Sequence, residues 1–367
     1  MRDKRFYHPE LDVLRFVAFL FIFLDHGGGA FHSRIADLLS EAFRLGLPLF
    51  FVLSSYLISE LLLRERETVG TVHIRAFYLR RILRIWPLYF TALACSYIAG
   101  LLGRGFFPAS ALIAFITLSG NWYSYTHNML LPGVGILWSI SVEEQFYLVW
   151  PVLLKLGSQA EIKVTICLLV AVSSVALLYS SYVGINPTRL WFNSFFQFGY
   201  FALGAGLCLA VRKRAYRPSK AHRAYLLLTF VGCFAGLIFF AALIASNHSL
   251  PAAYLTSTFA ALLAVASLTL FLAFFNYHVS ESSYLVRLGR ISYGLYVFHL
   301  FALEISEASL RHLHRLDVLK PILSLALALL LTIILAHLSY AVLELPFLRL
   351  KRRFTFVQSR TDMGTQM

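Results

Sequence analysis

Two residues in the first apolar stretch, Arg15 and His26, have the types and spacing that acid–base chemistry uses. Eleven residues along a helix is close to three turns. That puts both side chains on one face, about 16 Å apart along the axis. An ionisable group inside an apolar segment costs roughly 2.5–3.5 kcal/mol on insertion scales, so it marks a functional position by default. A neutral imidazole is the commonest general base. The plainer reading is a histidine satisfied near a helix end, ahead of the Gly27-Gly28-Gly29 break; the aligned Arg15 and the adjacent Asp25 weigh against it.

Other segments carry polar groups that lipid would reject. Leu137-Trp-Ser-Ile-Ser-Val-Glu-Glu-Gln-Phe-Tyr-Leu-Val-Trp-Pro151 holds Glu143 and Glu144 among aromatics. One of the two must find an internal partner, either an arginine in a structural ion pair or His26, whose basicity it would raise. Arg80-Arg81-Ile-Leu-Arg84 presents guanidinium groups one turn apart, a fit to phosphate through paired hydrogen bonds or, more plainly, a lipid-facing basic stop. Gly46–Ile58 contains Ser54 and Ser55. Ser292, Tyr296 and His299 share one helix face in Ser292-Tyr-Gly-Leu-Tyr-Val-Phe-His299, which reads as a polar seam between helices. Tyr340-Ala-Val-Leu-Glu344-Leu-Pro346 reads as a terminus anchor.

The elements that position these groups follow from composition. The chain has 367 residues, 59% hydrophobic and 14% charged, with a mean hydropathy of +0.72. A soluble domain has about 25% charged residues. A soluble enzyme, a secreted disulfide scaffold and a disordered chain are excluded, which leaves an all-α polytopic membrane bundle. Eleven apolar segments stand out, at 11–31, 43–63, 85–103, 106–120, 137–157, 162–183, 190–211, 224–246, 251–275, 291–310 and 320–343.

The net charge of +14 tests that count. The basic connections Arg64–Arg84, Arg212–Arg223, Arg287 with Arg290, and Arg349–Arg353 share the cytoplasmic side with both termini only if there are ten crossings. About ten transmembrane helices are therefore expected, with 106–120 or 137–157 re-entrant or interfacial. Arg311, Arg315 and Lys320 then fall on the far side as an exception. Met1–Arg5 flanks a retained first span rather than opening a signal peptide. The four cysteines lie inside apolar runs and read as packing residues, and the basic residues lack any nucleic-acid recognition module. A membrane domain over 1–346 and a short basic, polar cytoplasmic tail over 347–367 result.

Taken in order, these motifs resemble the membrane-bound acyltransferase-3 family from Leu11 to Pro346. The family's basic residue, ten-residue gap and histidine are met by Arg15 and His26. Its Phe-Phe-Val-Leu-Ser-Gly-Phe-Leu-Ile stretch appears as Phe50–Ile58, with Ser55 for the glycine and Tyr56 for the phenylalanine, departures that bear on packing. The arginine triplet and the Trp138–Tyr147 motif are intact. The resemblance implies ten spans in a bacterial inner membrane and acyl-CoA, with acetyl the usual group, as co-substrate. It also implies O-acylation of an exported saccharide: an exopolysaccharide, a lipopolysaccharide unit or a lipo-chitooligosaccharide nodulation factor.

On that basis Arg80, Arg81 and Arg84 are expected to take the donor phosphates, with Arg15 partway along the acyl arm. His26 is the expected base, supported by Glu144 or Glu143, and no metal is required. Ser54, Tyr296 and Ser292 are candidates for oxyanion or acceptor contacts. The competing class is a transporter or flippase of a lipid-linked or acidic saccharide. Inverted repeats and paired broken helices would mark it, and the sequence shows neither.

Overall fold

A computed structural model of the chain describes residues 7–102, 107–127, 133–214, 216–246, 252–311 and 319–355. The basic N-terminus Met1–Arg5, Arg315 and the end of the tail lie outside them. The described residues form helices α1 (Pro9–Gly27), α2 (Arg34–Phe43), α3 (Gly46–Val69), α4 (Ile74–Leu101), α5 (Ala109–Ile116), α6 (Gly120–His127), α7 (Trp138–Leu156) and α8 (Gln159–Val183). They continue with α9 (Pro187–Trp191), α10 (Ser194–Arg214), α11 (Lys220–Ala245), α12 (Ala252–Phe274), α13 (Tyr284–Arg290), α14 (Ser292–Leu310), α15 (Lys320–Ser339) and α16 (Leu345–Lys351). No strand occurs among them.

Local chemistry sets the boundaries. α1 begins on Pro9, whose missing N–H is no loss in a first turn, and carries Glu10 and Asp12 where the helix dipole favours acids. α8 opens on a capping box between Ser158 and Glu161. α3 and α8 stop at Gly70 and Gly184, both left-handed.

Eight helices are long and apolar enough to cross a membrane. α7 and α14, each 19 residues, also reach bilayer length at about 1.5 Å per residue. The ambiguity between 106–120 and 137–157 is resolved by length: α5 has eight residues, about 12 Å, and turns into α6 instead of crossing.

α3 is the hub. Its apolar window is 78% buried, against 6% for α8 on the periphery. α10 packs on α3 and on α8, and α1 packs on α3 and on α13. α11 pairs with α12, and α14 with α15. Ser55, standing where the family has glycine, donates to the Phe201 carbonyl of α10 at 2.6 Å. Tyr56 packs edge-on against Phe271 and Phe275. The departures thus serve packing.

Charged ties draw the basic connections to one end. Glu60 of α3 accepts from Arg64 at 2.5 Å and Arg212 at 3.3 Å. Glu10 accepts from the backbone N–H of Asn276, and Arg290 donates to the Tyr7 hydroxyl. At the opposite end Gln145 bonds Asn121 and Ser194, which knots α7 to α6 and α10.

Two glycines permit backbone contact between helices. A Cβ on Gly204 would stand 2.3 Å from the Val52 carbonyl oxygen, and one on Gly289 would stand 1.8 Å from that of Asp12. Gly289→Ala is therefore expected to prise α13 from α1. The cost should be about 1–3 kcal/mol, the usual price of overpacking. Thermal unfolding in detergent, against Gly232→Ala where a Cβ meets nothing within 4 Å, checks this; equal midpoints for the two variants would disprove it.

Candidate functional site

A cavity of about 370 Å³ opens at the basic end. Leu47, Phe50, Ser54, Leu57, Ile58, Leu61 and Glu65 line it, all from one face of α3. From Glu65 to Leu47 that face runs about 27 Å by helical rise. The cavity is thus long, with cations at the mouth and apolar side chains interspersed with the hydroxyls of Ser54, Ser139, Ser292 and Tyr296 further in.

Seven cations line it: Arg15, Arg80, Arg81, Arg84, Arg290, Arg349 and Lys351. Against them stand three carboxylates, Asp12, Glu65 and Glu143. A partly desolvated cleft with that excess of one sign concentrates anions. Arg15 donates to Asp12 at 3.0 Å, and Asp12 also accepts from Tyr7 and faces Arg290 at 4.0 Å. Burial of Tyr7, before the neighbouring Asp12 charge, pushes its phenol up to about 12. The group therefore stays a hydrogen-bond donor throughout the physiological range.

The arginine triplet divides. Arg80 is nearly inaccessible and has both arms committed, to Glu65 at 2.9 Å and to the Phe354 carbonyl at 2.7 Å. As a phosphate ligand, its expected role, it would have to give up one of these bonds; as it stands the side chain forms part of the cavity wall. Arg81 lies over the rings of Phe77 and Tyr147, and its Nε has no protein partner. Arg84 opposes Glu344, which sits in a π-turn at Tyr340–Glu344.

The expected carboxylate–histidine pair does not form. Glu143 accepts from Tyr147 one turn on in α7. Glu144 has a buried oxygen without a hydrogen bond, with Arg81 and the Trp86 indole as its neighbours. Both acids are held on the α4–α7 side, where the arginine supplies the counter-charge.

His26 instead meets His299 of α14, with Nδ1 2.9 Å from Nε2. His299 is fully buried, and its Nδ1 lies 2.5 Å from the Tyr296 carbonyl. Tyr296 lines the cavity, but its hydroxyl is 2.7 Å from Ser139 and donates to the Ile136 carbonyl. In the oxyanion role expected for it, Tyr296 would have to release that proton from the Ile136 carbonyl. Ser54 and Ser292 line the shaft. A second, smaller cavity of about 190 Å³ lies at the other end of α14, lined by His26, Gly29, His32, Glu307 and Ser324. Tyr296 and Leu303, one on each cavity, are about 10 Å apart by helical rise. His299 lies between them.

Sequence reading missed Arg290, Arg349, Lys351 and Glu65 as wall residues. The first three stood in runs that membrane orientation alone accounts for. His299 was placed in a seam, and its reach to His26 across 273 positions had no local signal.

Comparison with known proteins bears on the same region. An acyltransferase-domain model, acyltransferase-3, matches residues 8–341. A Staphylococcus aureus protein provisionally named an O-acetyltransferase is 26% identical over 94% of this chain and 58% of its own length. Peptidoglycan O-acetyltransferase OatA of Listeria monocytogenes is 24% identical over 94% of this chain and 56% of its own. The chain thus spans a little over half the length of these relatives. No solved structure matches it. With a match over nearly the whole chain, one that includes His26, His299 and most of the cavity lining, the chain belongs to the acyltransferase-3 family.

Proposed function

We propose that the protein is a membrane O-acyltransferase that moves acetyl, or another short acyl group, from acyl-CoA to a hydroxyl of an envelope or exported saccharide. The observation that carries this reading is the long cavity with a cationic mouth, whose inner end approaches the His26–His299 pair. An acyl-CoA has that shape and charge: phosphates at one end, then a thin arm ending in the thioester. In this reading Arg81, Arg84 and Arg349 would take phosphate, and Arg15 would hold a point further in. The saccharide hydroxyl would come to His26 from the smaller cavity. The relatives' names point to glycans such as peptidoglycan as acceptors. The positive-inside rule places the cationic mouth and both termini on the cytoplasmic face of a bacterial inner membrane.

In the transfer step His26 takes the acceptor hydroxyl proton as that oxygen attacks the thioester carbonyl carbon. A C–O ester bond forms and the C–S bond breaks. The sulfur leaves as thiolate and receives the proton from His26, so ester and free thiol are the products. Ser54 and Ser292 remain candidates to donate to the carbonyl oxygen as its charge develops.

Four outcomes are expected. Labelled acetyl-CoA added to purified protein with a glycan acceptor should give labelled ester; binding without turnover would favour a transporter. His26→Ala should lower that transfer by about 10²–10⁴-fold while leaving a folded, membrane-inserted protein, since that is what a general base contributes. Full turnover in this variant rules the base out. Arg81→Ala should raise donor KM about tenfold, the worth of one charge-assisted hydrogen bond, with acceptor KM unchanged. Arg80→Ala should chiefly destabilise the fold, by about 3 kcal/mol, because buried Glu65 loses its guanidinium partner and keeps only His73. Unfolding midpoints and donor KM measured on both arginine variants separate the two roles.

A further inference from the structure

We infer that His299 is a positioning residue that fixes His26 in the tautomer a base requires; this rests on the reading of His26 as that base. The argument begins at the Tyr296 carbonyl. A carbonyl oxygen only accepts, so the His299 nitrogen 2.5 Å away, Nδ1, carries the proton. A neutral imidazole has one N–H, so Nε2 of His299 holds a lone pair. Nε2 faces Nδ1 of His26 at 2.9 Å, and two ring nitrogens attract only when one of them donates. The proton of His26 therefore sits on Nδ1, and its Nε2 is left with a lone pair. His26 is accessible and lines the smaller cavity. The reversed tautomer would put hydrogen on that nitrogen and leave nothing to receive a proton.

The neighbours of His299 keep its ring from turning. Phe19 meets it edge-on at 6.2 Å between centroids, and the Tyr296 ring lies 5.6 Å away. Tyr296 is itself pinned through its hydroxyl by Ser139 and Ile136. A row thus runs from the Trp138-Ser139 start of α7 through α14 to α1, and its last member is His26. When His26 accepts a proton, the cation still donates its Nδ1–H to a neutral lone pair. The row therefore does the orienting that a carboxylate does in a hydrolase triad, with no second charge in the membrane interior.

The test uses the full chain in lipid nanodiscs with ¹⁵N-histidine, His26 being assigned by difference from His26→Gln. The expected spectrum has His26 protonated on Nδ1 in the unaltered protein and moved toward the Nε2–H form in His299→Ala. A wild-type His26 already protonated on Nε2, or no change on His299→Ala, overturns the inference. Thiol release from acetyl-CoA with chitotetraose as acceptor gives the second readout. His299→Ala and His299→Asn should lose about 100-fold in kcat, the lower end of what a general base supplies, at unchanged donor KM. His299→Gln, whose side-chain oxygen reaches the Nε2 position, should recover to within about tenfold of wild type. Asn matching Gln would show that the Tyr296 contact alone matters, and would refute the assignment. Full turnover in His26→Ala would remove the base reading, while the spectrum would still report the tautomer.

Discussion

A carboxylate taken out of water must bring its counter-charge with it, and Glu65 is where this structure meets that demand most severely. The acid is almost wholly buried near the end of α3, and Arg80 at the start of α4 is the partner it holds. The pair closes the turn between the two helices and forms part of the cavity wall. Because Arg80 points into that pair, Arg81 projects elsewhere along the same helix and lies over aromatic rings. Glu60, one turn earlier, repeats the device with Arg64 and Arg212 and so fixes α10. The cationic mouth is what remains once the buried acids have taken their share of the arginines.

At the other end of the cavity the protein uses the opposite solution. The row of Ser139, Tyr296, His299 and His26 is built from groups that are neutral in their ordinary forms and joined by directional hydrogen bonds. Neutral donors and acceptors are far cheaper than ions to desolvate. Charge is kept where water and headgroups reach, and orientation is carried inward by dipoles.

Much of the fold was legible because its causes are local or additive. Apolar length, capping residues and the distribution of basic connections are properties of short windows. Parity of the basic connections removed one of eleven segments, and the eight-residue length of α5 showed which. Where one helix carries two candidates, as α1 carries Arg15 and His26, their spacing was readable, but not that each lines a different cavity. The site was illegible where two distant elements meet. Glu143 and Glu144 looked like partners for His26 because adjacent acids among aromatics need an internal partner. Arg81 and Tyr147, close to them in space, were the better-placed partners. Arg80 and Arg81 are adjacent in sequence, identical in type and both in the cavity wall, yet Arg80 is held by a buried acid while Arg81 lies over aromatic rings. Only the position of Glu65 separates them.

Two contacts define the site, and each joins the beginning of the chain to its end. Arg80 holds the carbonyl of Phe354, 274 positions later, and His26 meets His299 across 273. Helices that emerge first fold against one another as they are made. Neither contact is available at that stage. The early helices must enter the membrane carrying a partly walled cleft and an unoriented imidazole, and they wait for α14 and for the segment after α16 to complete them. A chain interrupted before α14 would have most of the helices described here and an incomplete site, with the cleft only partly walled and His26 without His299.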